Sequence, residues 1–277
     1  MNKTITFTVL MAALLTQPLQ AADIAGEVRN GEDGPDTSDG GFLEVGVGAS
    51  LWNHPQVWND HKGGYGLIVS GAYRYKGLFV EAINGTADGV NLGYQLWNDD
   101  QWAVDLIGIN ATNGRTNPIE PNLPETSRNL WLMDRQTALT GAGLRVTRYF
   151  DDYIFQFRVL NDIYNNRGNY GSARLGRSWQ YRNWNFHAIG GIEYFDSQFG
   201  EHLVGVGADE ATRAFPQYSP GSFAQVEGEV GVTYPMTEHW VFRATIRHTF
   251  LPDAVTNSPL YEDNYATSLF TSLNYVF

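Results

Sequence analysis

Apolar and polar side chains alternate with a period of two along most of the chain after residue 40. In 41–51, every second residue from Leu43 to Leu51 is apolar, whereas the positions from Glu44 to Ser50 hold Glu, Gly or Ser. This alternation predicts a β-strand with two different faces. Segments 153–159, 184–194, 224–234 and 240–246 show it equally clearly, and it is weaker in 65–75, 78–84, 90–97, 102–110, 137–149, 170–179 and 264–277. The pattern predicts twelve strands, or ten if the weakest, 78–84 and 102–110, do not form.

The connections between these strands alternate between long and short. Short ones follow residues 75, 97, 149, 179 and 234, and the longest are 111–136 and 195–221. Outer-membrane barrels have short periplasmic turns, longer extracellular loops and an even number of strands. Ten residues at about 3.3 Å each, tilted by about 40°, also rise by about the 25 Å of their apolar band. The sequence therefore predicts an all-β fold, an antiparallel transmembrane barrel over 41–277.

Aromatic residues flank the short connections. They begin or end strands at Tyr75, Trp97, Trp102, Tyr153, Trp179, Trp184, Tyr234 and Trp240. Amphipathic rings at one rim are typical of the girdle at a membrane interface.

The last strand, at the carboxyl end of the chain, has an apolar face that is predicted to point outward. Leu269, Leu273, Tyr275 and the terminal Phe277 share it. We interpret these four residues as the signal that a barrel assembly machinery reads.

The first forty residues differ from the rest. Lys3, the apolar run 5–15 and the pair Ala21-Ala22 predict a signal peptide over 1–21, cleaved after Ala21. Residues 22–40 hold six acids and one arginine, which predicts a flexible acidic leader. No later apolar run approaches the roughly 20 residues that a transmembrane helix needs. The predicted domains are therefore 1–21, 22–40 and 41–277.

Composition excludes several functions. The chain has no cysteine, so it has no disulfide, thiolate metal site or catalytic thiol. Its formal charge is −12, and −13 (17 − 30) without the lysine of the signal peptide, which gives no basic field for nucleic acid. Motifs of serine hydrolases, phosphate-binding loops and zinc peptidases are missing, and no serine is marked out as a partner for the inward-facing His187. We therefore predict a protein that is not an enzyme, with no catalytic, cofactor-binding or metal residues.

The predicted inward faces carry charges of both signs in near balance. The acids are Glu44, Glu81, Asp105, Asp162, Glu193, Glu227 and Glu229, and the bases are Arg74, Arg145, Arg158, Arg174, Arg243 and Arg247. Guanidinium groups suit bidentate pairing with carboxylates, which indicates an ion-pair network across the lumen. A selectivity lining for a small pore is the alternative. Arg148 and Arg177 instead face outward, at predicted periplasmic strand ends where long cations can snorkel.

Several short motifs resemble the MltA-interacting protein (MipA/OmpV) family. They are 205–211 (GVGADEA), 218–221 (YSPG), 237–240 (TEHW), 258–260 (SPL) and 274–277 (NYVF), with weaker likeness at 73–75 and 141–144. The resemblance covers roughly 41–277. It implies an outer-membrane scaffold that brings a murein-degrading lytic transglycosylase near a murein-synthesising penicillin-binding protein. Other members look like porin-like or adhesive proteins.

Three functional hypotheses follow for a protein in the outer membrane of a Gram-negative bacterium. The first is the scaffold, with outer-membrane lipid, the barrel assembly machinery, a lytic transglycosylase and a penicillin-binding protein as partners. The second is a channel for small solutes. The third is a surface adhesin that uses loops 111–136 and 195–221.

Overall fold

We describe the fold from a computed structural model. It describes residues 24–30, 39–53, 55–57, 63–83, 90–111, 139–150, 152–163 and 167–277. The predicted signal peptide, its cleavage site at Ala21-Ala22, and most of loop 111–136 lie outside these ranges.

Twelve antiparallel strands form a closed barrel in which each strand pairs with its neighbours in sequence and β12 pairs with β1. Their bounds are β1 Gly40–Trp52, β2 Gly63–Tyr75, β3 Leu78–Ala82, β4 Val90–Asn98, β5 Trp102–Ala111, β6 Leu139–Phe150, β7 Tyr153–Asp162, β8 Asn169–Tyr181, β9 Trp184–Phe195, β10 Phe223–Pro235, β11 Trp240–Phe250 and β12 Tyr265–Val276. The predicted fold is confirmed. The count is twelve rather than ten, because the weakly patterned segments form β3 and β5.

Side chains alternate between a buried interior and an exposed apolar exterior. In β7, Ile154, Gln156 and Arg158 are buried, whereas Phe157 and Val159 are exposed. The same exposure of large apolar residues recurs around the barrel, as at Leu67, Leu92, Ile192 and Val226. So extensive an exposed apolar surface marks contact with a membrane. None of the helices in the described ranges is long and apolar enough to cross a membrane.

The two ends of the barrel differ. We call the end with short connections the turn end and the opposite end the loop end. Strands β5, β7, β9 and β11 all begin at the turn end with the predicted aromatic residues, Trp102, Tyr153, Trp184 and Trp240. Neighbouring rings pack there, as Trp184 does with Tyr234 at a centroid distance of 4.5 Å.

A short helix, α1 (Ile24–Asn30), lies inside the barrel near the turn end. Its Ile24, Ala25 and Val28 are buried in a cluster completed by Ala103, Tyr149, Ile154 and Ile189 from the inner wall. Within the predicted leader over 22–40, the structure has a helix over 24–30, and the division into 1–21, 22–40 and 41–277 stays a prediction. Segment 24–30 is short and has acidic neighbours on both sides, yet the spacing of Ile24 and Val28 places both on one face of a helix.

Two further helices lie at the loop end. They are α2 (Ser197–Val204) and α3 (Asp253–Thr256). Phe199 of α2 points into the barrel mouth, where it packs against Phe79, Ile107 and Leu160. A second cluster of Val206, Phe215 and Leu260 joins the two loops that carry these helices. The loop end is thus a packed layer built from the β9–β10 and β11–β12 loops.

Candidate functional site

The barrel interior holds the buried charges of the molecule, and α1 is anchored to them. Arg29, at the end of α1, donates two hydrogen bonds to one oxygen of Glu229, from Nε at 3.0 Å and from Nη2 at 2.7 Å. His187 lies 3.2 Å from the same oxygen, and Arg247 donates to the other at 2.7 and 3.1 Å. Asn185 donates to the backbone carbonyl of Arg29 at 2.8 Å, satisfying one acceptor at the helix end. Glu229 therefore joins α1 to β9, β10 and β11.

A second set of ion pairs needs the space that a glycine in β9 leaves free. Arg174 in β8 lies 2.9 Å from Glu193 in β9 and 2.9 Å from Glu227 in β10. To reach Glu227 it crosses β9 at Gly191, where a Cβ atom would lie 2.9 Å from its Cγ. A side chain at this position would crowd the arginine. Gln225 also donates to Glu193 at 2.8 Å, so these charges span β8 to β10.

A separate cluster lies on the other side of the barrel. Arg145 in β6 donates to Glu81 in β3 at 2.5 Å and to Asp105 in β5 at 2.9 Å. Asn91 in β4 donates to Glu81 at 2.9 Å. All four side chains are almost fully buried. Removing one partner of such a cluster leaves a charge without compensation in a region of low dielectric constant, which is strongly destabilising.

The remaining predicted lumen residues make other contacts. Glu44 in β1 pairs with Arg243 in β11, across β12. Arg74 lies over the ring of Phe79, Arg158 donates to Ser172, and Asp162 lies 3.8 Å from Arg167. Ten of the thirteen predicted residues thus pair among themselves: Glu44, Glu81, Asp105, Arg145, Arg174, Glu193, Glu227, Glu229, Arg243 and Arg247.

Sequence reasoning missed two charged participants, Arg29 and Arg167. Arg29 lies in the predicted leader, and Arg167 lies between β7 and β8, outside the alternating segments. Arg29 is the single base among the acids of 22–40, and that isolation is the one signal that it has a specific partner.

A narrow cavity separates α1 from the opposite wall. Gly26 and Arg29 line one side, and Glu44, Ser70 and Arg243 are among the residues on the other. Its volume is about 30 Å³, room for one or two water molecules. In the described ranges, α1 therefore narrows the interior on the side of β1, β2, β11 and β12.

The loop end is held by a helix cap. Asp196 accepts hydrogen bonds from the backbone of Phe199 at 2.8 Å and from the backbone and side chain of Asn169 at 2.7 and 2.9 Å. Burial disfavours its ionised form, but these hydrogen bonds outweigh burial and hold the pKa of Asp196 below its ordinary value. Asp196 thus fixes the start of α2 against β8.

Tyr218 connects the two packed loops. Its hydroxyl donates to the backbone carbonyl of Ala254 at 2.9 Å. Burial raises the pKa of Tyr218, as do the nearby carboxylates of Asp253 and Glu201. The hydroxyl therefore stays protonated and keeps this contact at neutral pH.

Most of the outward-facing predictions fall near the turn end, whereas Leu269 lies in the middle of β12. Leu269, Leu273 and Tyr275 lie on the outer face of β12, and the Phe277 ring lies 4.9 Å from that of Tyr275. Arg148 stacks on Trp102 at 4.6 Å and Arg177 on Tyr153 at 5.1 Å. These positions suit an assembly signal and snorkelling cations, which stay predictions.

The site holds charges in place rather than presenting a reactive group. Its buried carboxylates accept from arginines, and in the described ranges there is no group of three or more His, Asp or Glu residues that could hold a metal ion. The arrangement joins the walls of the barrel to each other and to α1.

A closed antiparallel barrel with an apolar outer surface, an aromatic rim and a polar interior is an outer-membrane β-barrel, and the turn end faces the periplasm. The chain belongs to the family described as MltA-interacting protein MipA, whose model matches residues 45–277.

Relatives with assigned names agree with this class. The chain is 23% identical to the MltA-interacting protein of Escherichia coli (strain K12) over 244 residues, 86% of this chain and 91% of that protein. It is also 23% identical to outer membrane protein Omp26La of Vibrio anguillarum over 229 residues, 77% and 84% of the two chains. Among solved structures, the NanC porin aligns over 83% of this chain and 98% of its own, with 11% identity and a TM-score of 0.46.

Proposed function

We propose that this protein is a non-enzymatic scaffold of the outer membrane, which holds a murein-degrading lytic transglycosylase close to a murein-synthesising penicillin-binding protein. Its relative in Escherichia coli is named for an interaction with MltA. The scaffold needs an accessible surface on the periplasmic side, and the barrel presents its turn end there.

The filled interior near the turn end is the observation that carries the proposal. Helix α1 packs against the inner wall from β5 to β10, and Arg29 anchors it to Glu229. In the part of the chain that the structure describes, the cavity between α1 and the opposite wall has a volume of about 30 Å³. A barrel filled in this way favours a role that needs no passage of solutes, and it leaves the periplasmic surface available for proteins.

A binding measurement tests the scaffold directly. The full-length protein in lipid nanodiscs is immobilised, and purified lytic transglycosylase from the same organism is passed over it, with an unrelated outer-membrane barrel as reference. We expect saturable binding above the reference, and a ternary complex when penicillin-binding protein is added. Binding no stronger than to the unrelated barrel would refute the scaffold.

Two matched charge-reversal variants test which end of the barrel binds the lytic transglycosylase. Arg182 is exposed in the β8–β9 turn and Arg213 is exposed at the loop end, so Arg182→Glu and Arg213→Glu change the net charge equally on opposite sides of the membrane. We expect only Arg182→Glu to weaken binding, because only that side faces murein. If Arg213→Glu alone weakened it, the proposed orientation would be wrong.

The scaffold and channel hypotheses predict different ion currents across a planar bilayer. With α1 docked, we expect the purified protein in a planar bilayer to show no stable openings of solute-passing size. Steady openings would favour the porin-like alternative.

A further inference from the structure

The outer wall carries an unusual charge distribution near the turn end. All seven carboxylates of the strands belong to the interior set: Glu44, Glu81, Asp105, Asp162, Glu193, Glu227 and Glu229. Two strand arginines, Arg148 and Arg177, are on the outer face instead. Both lie at the aromatic rim, the level at which lipid headgroups meet a barrel.

Arg177 lines a groove on the outer wall. The groove has a volume of about 390 Å³, and its lining includes Arg177, Trp179, Ala188, Gly190 and Gly228. Gly190 and Gly228 are directly opposite each other in β9 and β10. A Cβ atom added to either would meet nothing within 4 Å. Packing within the protein therefore does not require these glycines, and their effect is to open a hollow in an otherwise bulky apolar surface.

A cation and an anion lie in a fixed order at the end of this groove. Arg177 donates to Asp152 at 2.6 Å, and both side chains are largely exposed. Arg177 lies within β8, whereas Asp152 lies in the β6–β7 turn and is therefore nearer the water. In a phospholipid with an aminoethyl headgroup, the phosphate is next to the acyl chains and the ammonium is farther out. The order of the two protein charges is complementary to that headgroup.

We propose that this groove is a binding site for one phospholipid of the periplasmic leaflet whose headgroup carries a primary ammonium. Nη1 of Arg177 donates to the hydroxyl of Tyr153 at 3.3 Å and Nη2 donates to Asp152 at 2.6 Å. Arg177 binds the phosphate through the second hydrogen that each of these nitrogens carries. Asp152 accepts hydrogen bonds from the ammonium, and an acyl chain lies over Gly190 and Gly228. An exposed ion pair is worth little by itself, so exchanging it for two headgroup contacts costs little.

Lipid retention measured by native mass spectrometry tests the site. The delipidated full-length protein is titrated with phosphatidylethanolamine, phosphatidylglycerol or phosphatidylcholine of identical acyl chains. We expect phosphatidylethanolamine to be retained about fivefold better than the other two, the ratio expected for one exposed charged contact. Phosphatidylglycerol lacks the ammonium, and phosphatidylcholine has an ammonium without N–H donors. Equal retention of the three lipids would overturn the proposal.

Four variants separate the parts of the site. Asp152→Asn should abolish the preference for phosphatidylethanolamine over phosphatidylglycerol, and Arg177→Gln should weaken retention of both. A Cβ atom at Gly190 meets nothing within 4 Å, so Gly190→Leu should fill the groove and remove retention of all three lipids. Arg148→Gln removes the same charge from the same rim but away from the groove, so it should change nothing.

Two results with these variants would overturn the site. One is an equal loss of lipid retention in Arg148→Gln and Arg177→Gln. That result would mean that any cation at the aromatic rim attracts lipid headgroups equally. The other is full retention in Gly190→Leu. Heat-modifiable mobility on a denaturing gel confirms that each variant is folded before it is compared.

Discussion

Arg29 should control how often α1 leaves the barrel interior. The change to make is Arg29→Ala, which removes both hydrogen bonds from the guanidinium to Glu229. A hydrogen bond to a charged group contributes about 1.5–3 kcal/mol. Glu229 keeps Arg247 and His187 as partners, so we use the lower value for each of the two hydrogen bonds. The free energy that holds α1 docked should then fall by about 3 kcal/mol. The undocked fraction of α1 should then rise about 100-fold.

The remaining contacts should keep α1 mostly docked even without Arg29. Ile24 and Val28 are fully buried, and each such side chain contributes about 1.5–3 kcal/mol. The experiment must therefore measure a small undocked fraction rather than a complete release. The chain has no cysteine, which allows a single thiol to be placed at Ala25→Cys, a position that is only 3% exposed.

Thiol labelling then reports undocking. When opening and closing are fast, a water-soluble maleimide reacts in proportion to the open fraction. We expect Ala25→Cys with Arg29→Ala to react about 100-fold faster than Ala25→Cys alone. The matched control is Ala25→Cys with Arg182→Ala, which removes an exposed turn arginine and should leave the rate unchanged. Equal labelling rates with and without Arg29 would show that the ion pair does not hold the helix.

A second variant, Gly176→Leu, should also undock α1, and it leaves every charge unchanged. A Cβ atom at Gly176 would lie 2.6 Å from Cγ2 of Val28, so Gly176→Leu should displace α1 by steric overlap. If Arg29→Ala speeds labelling and Gly176→Leu does not, the effect of Arg29 comes from the barrel wall rather than from undocking.

Three other predictions concern the barrel wall, the loop end and the carboxyl end of the chain. Gly191→Val should crowd Arg174 away from Glu227 and lower the urea concentration at which the heat-modifiable band is lost, whereas Gly190→Val, beside it on the outer face, should not. Because the pKa of Asp196 is lowered in the folded state, its contribution to stability is complete above the unfolded-state pKa and is lost as pH falls through the folded value. Amide exchange in α2 should therefore accelerate in acid, and Asp196→Asn should already show fast exchange at pH 7. Removal of the aromatic ring by Phe277→Ser should slow assembly into the outer membrane more than it lowers the stability of the assembled barrel, as measured by pulse labelling.

The strands could be predicted because their signal is local. A side chain in a strand alternates between lipid and lumen at every residue, so the pattern in β1 or β9 can be read without knowing its neighbours. The inward set of charges follows from the same parity. Asp105 and Arg145 are also directly opposite each other on paired strands, as expected for neighbours in a meander.

The remaining contacts depend on how the barrel closes. Glu44 and Arg243 are on strands that are not adjacent, and they meet across β12 only because the barrel is closed. Helix α1 has seven residues, too few for a stable isolated helix, so its formation depends on a surface built from distant strands. The local pattern of apolar and polar residues does not reveal contacts of this kind. For the same reason, it predicts a long loop over 195–221, where the structure has α2.

The position of α1 also constrains the order of events during biogenesis. The helix precedes all twelve strands in the chain, yet the wall that it packs against comes from the middle of the sequence, and its anchor Glu229 lies in β10. The segment synthesised before every strand therefore reaches its final contacts only after strands from β5 to β10 are in place. A thiol or reporter on α1 would consequently distinguish a barrel that has completed its assembly from one that has only been inserted.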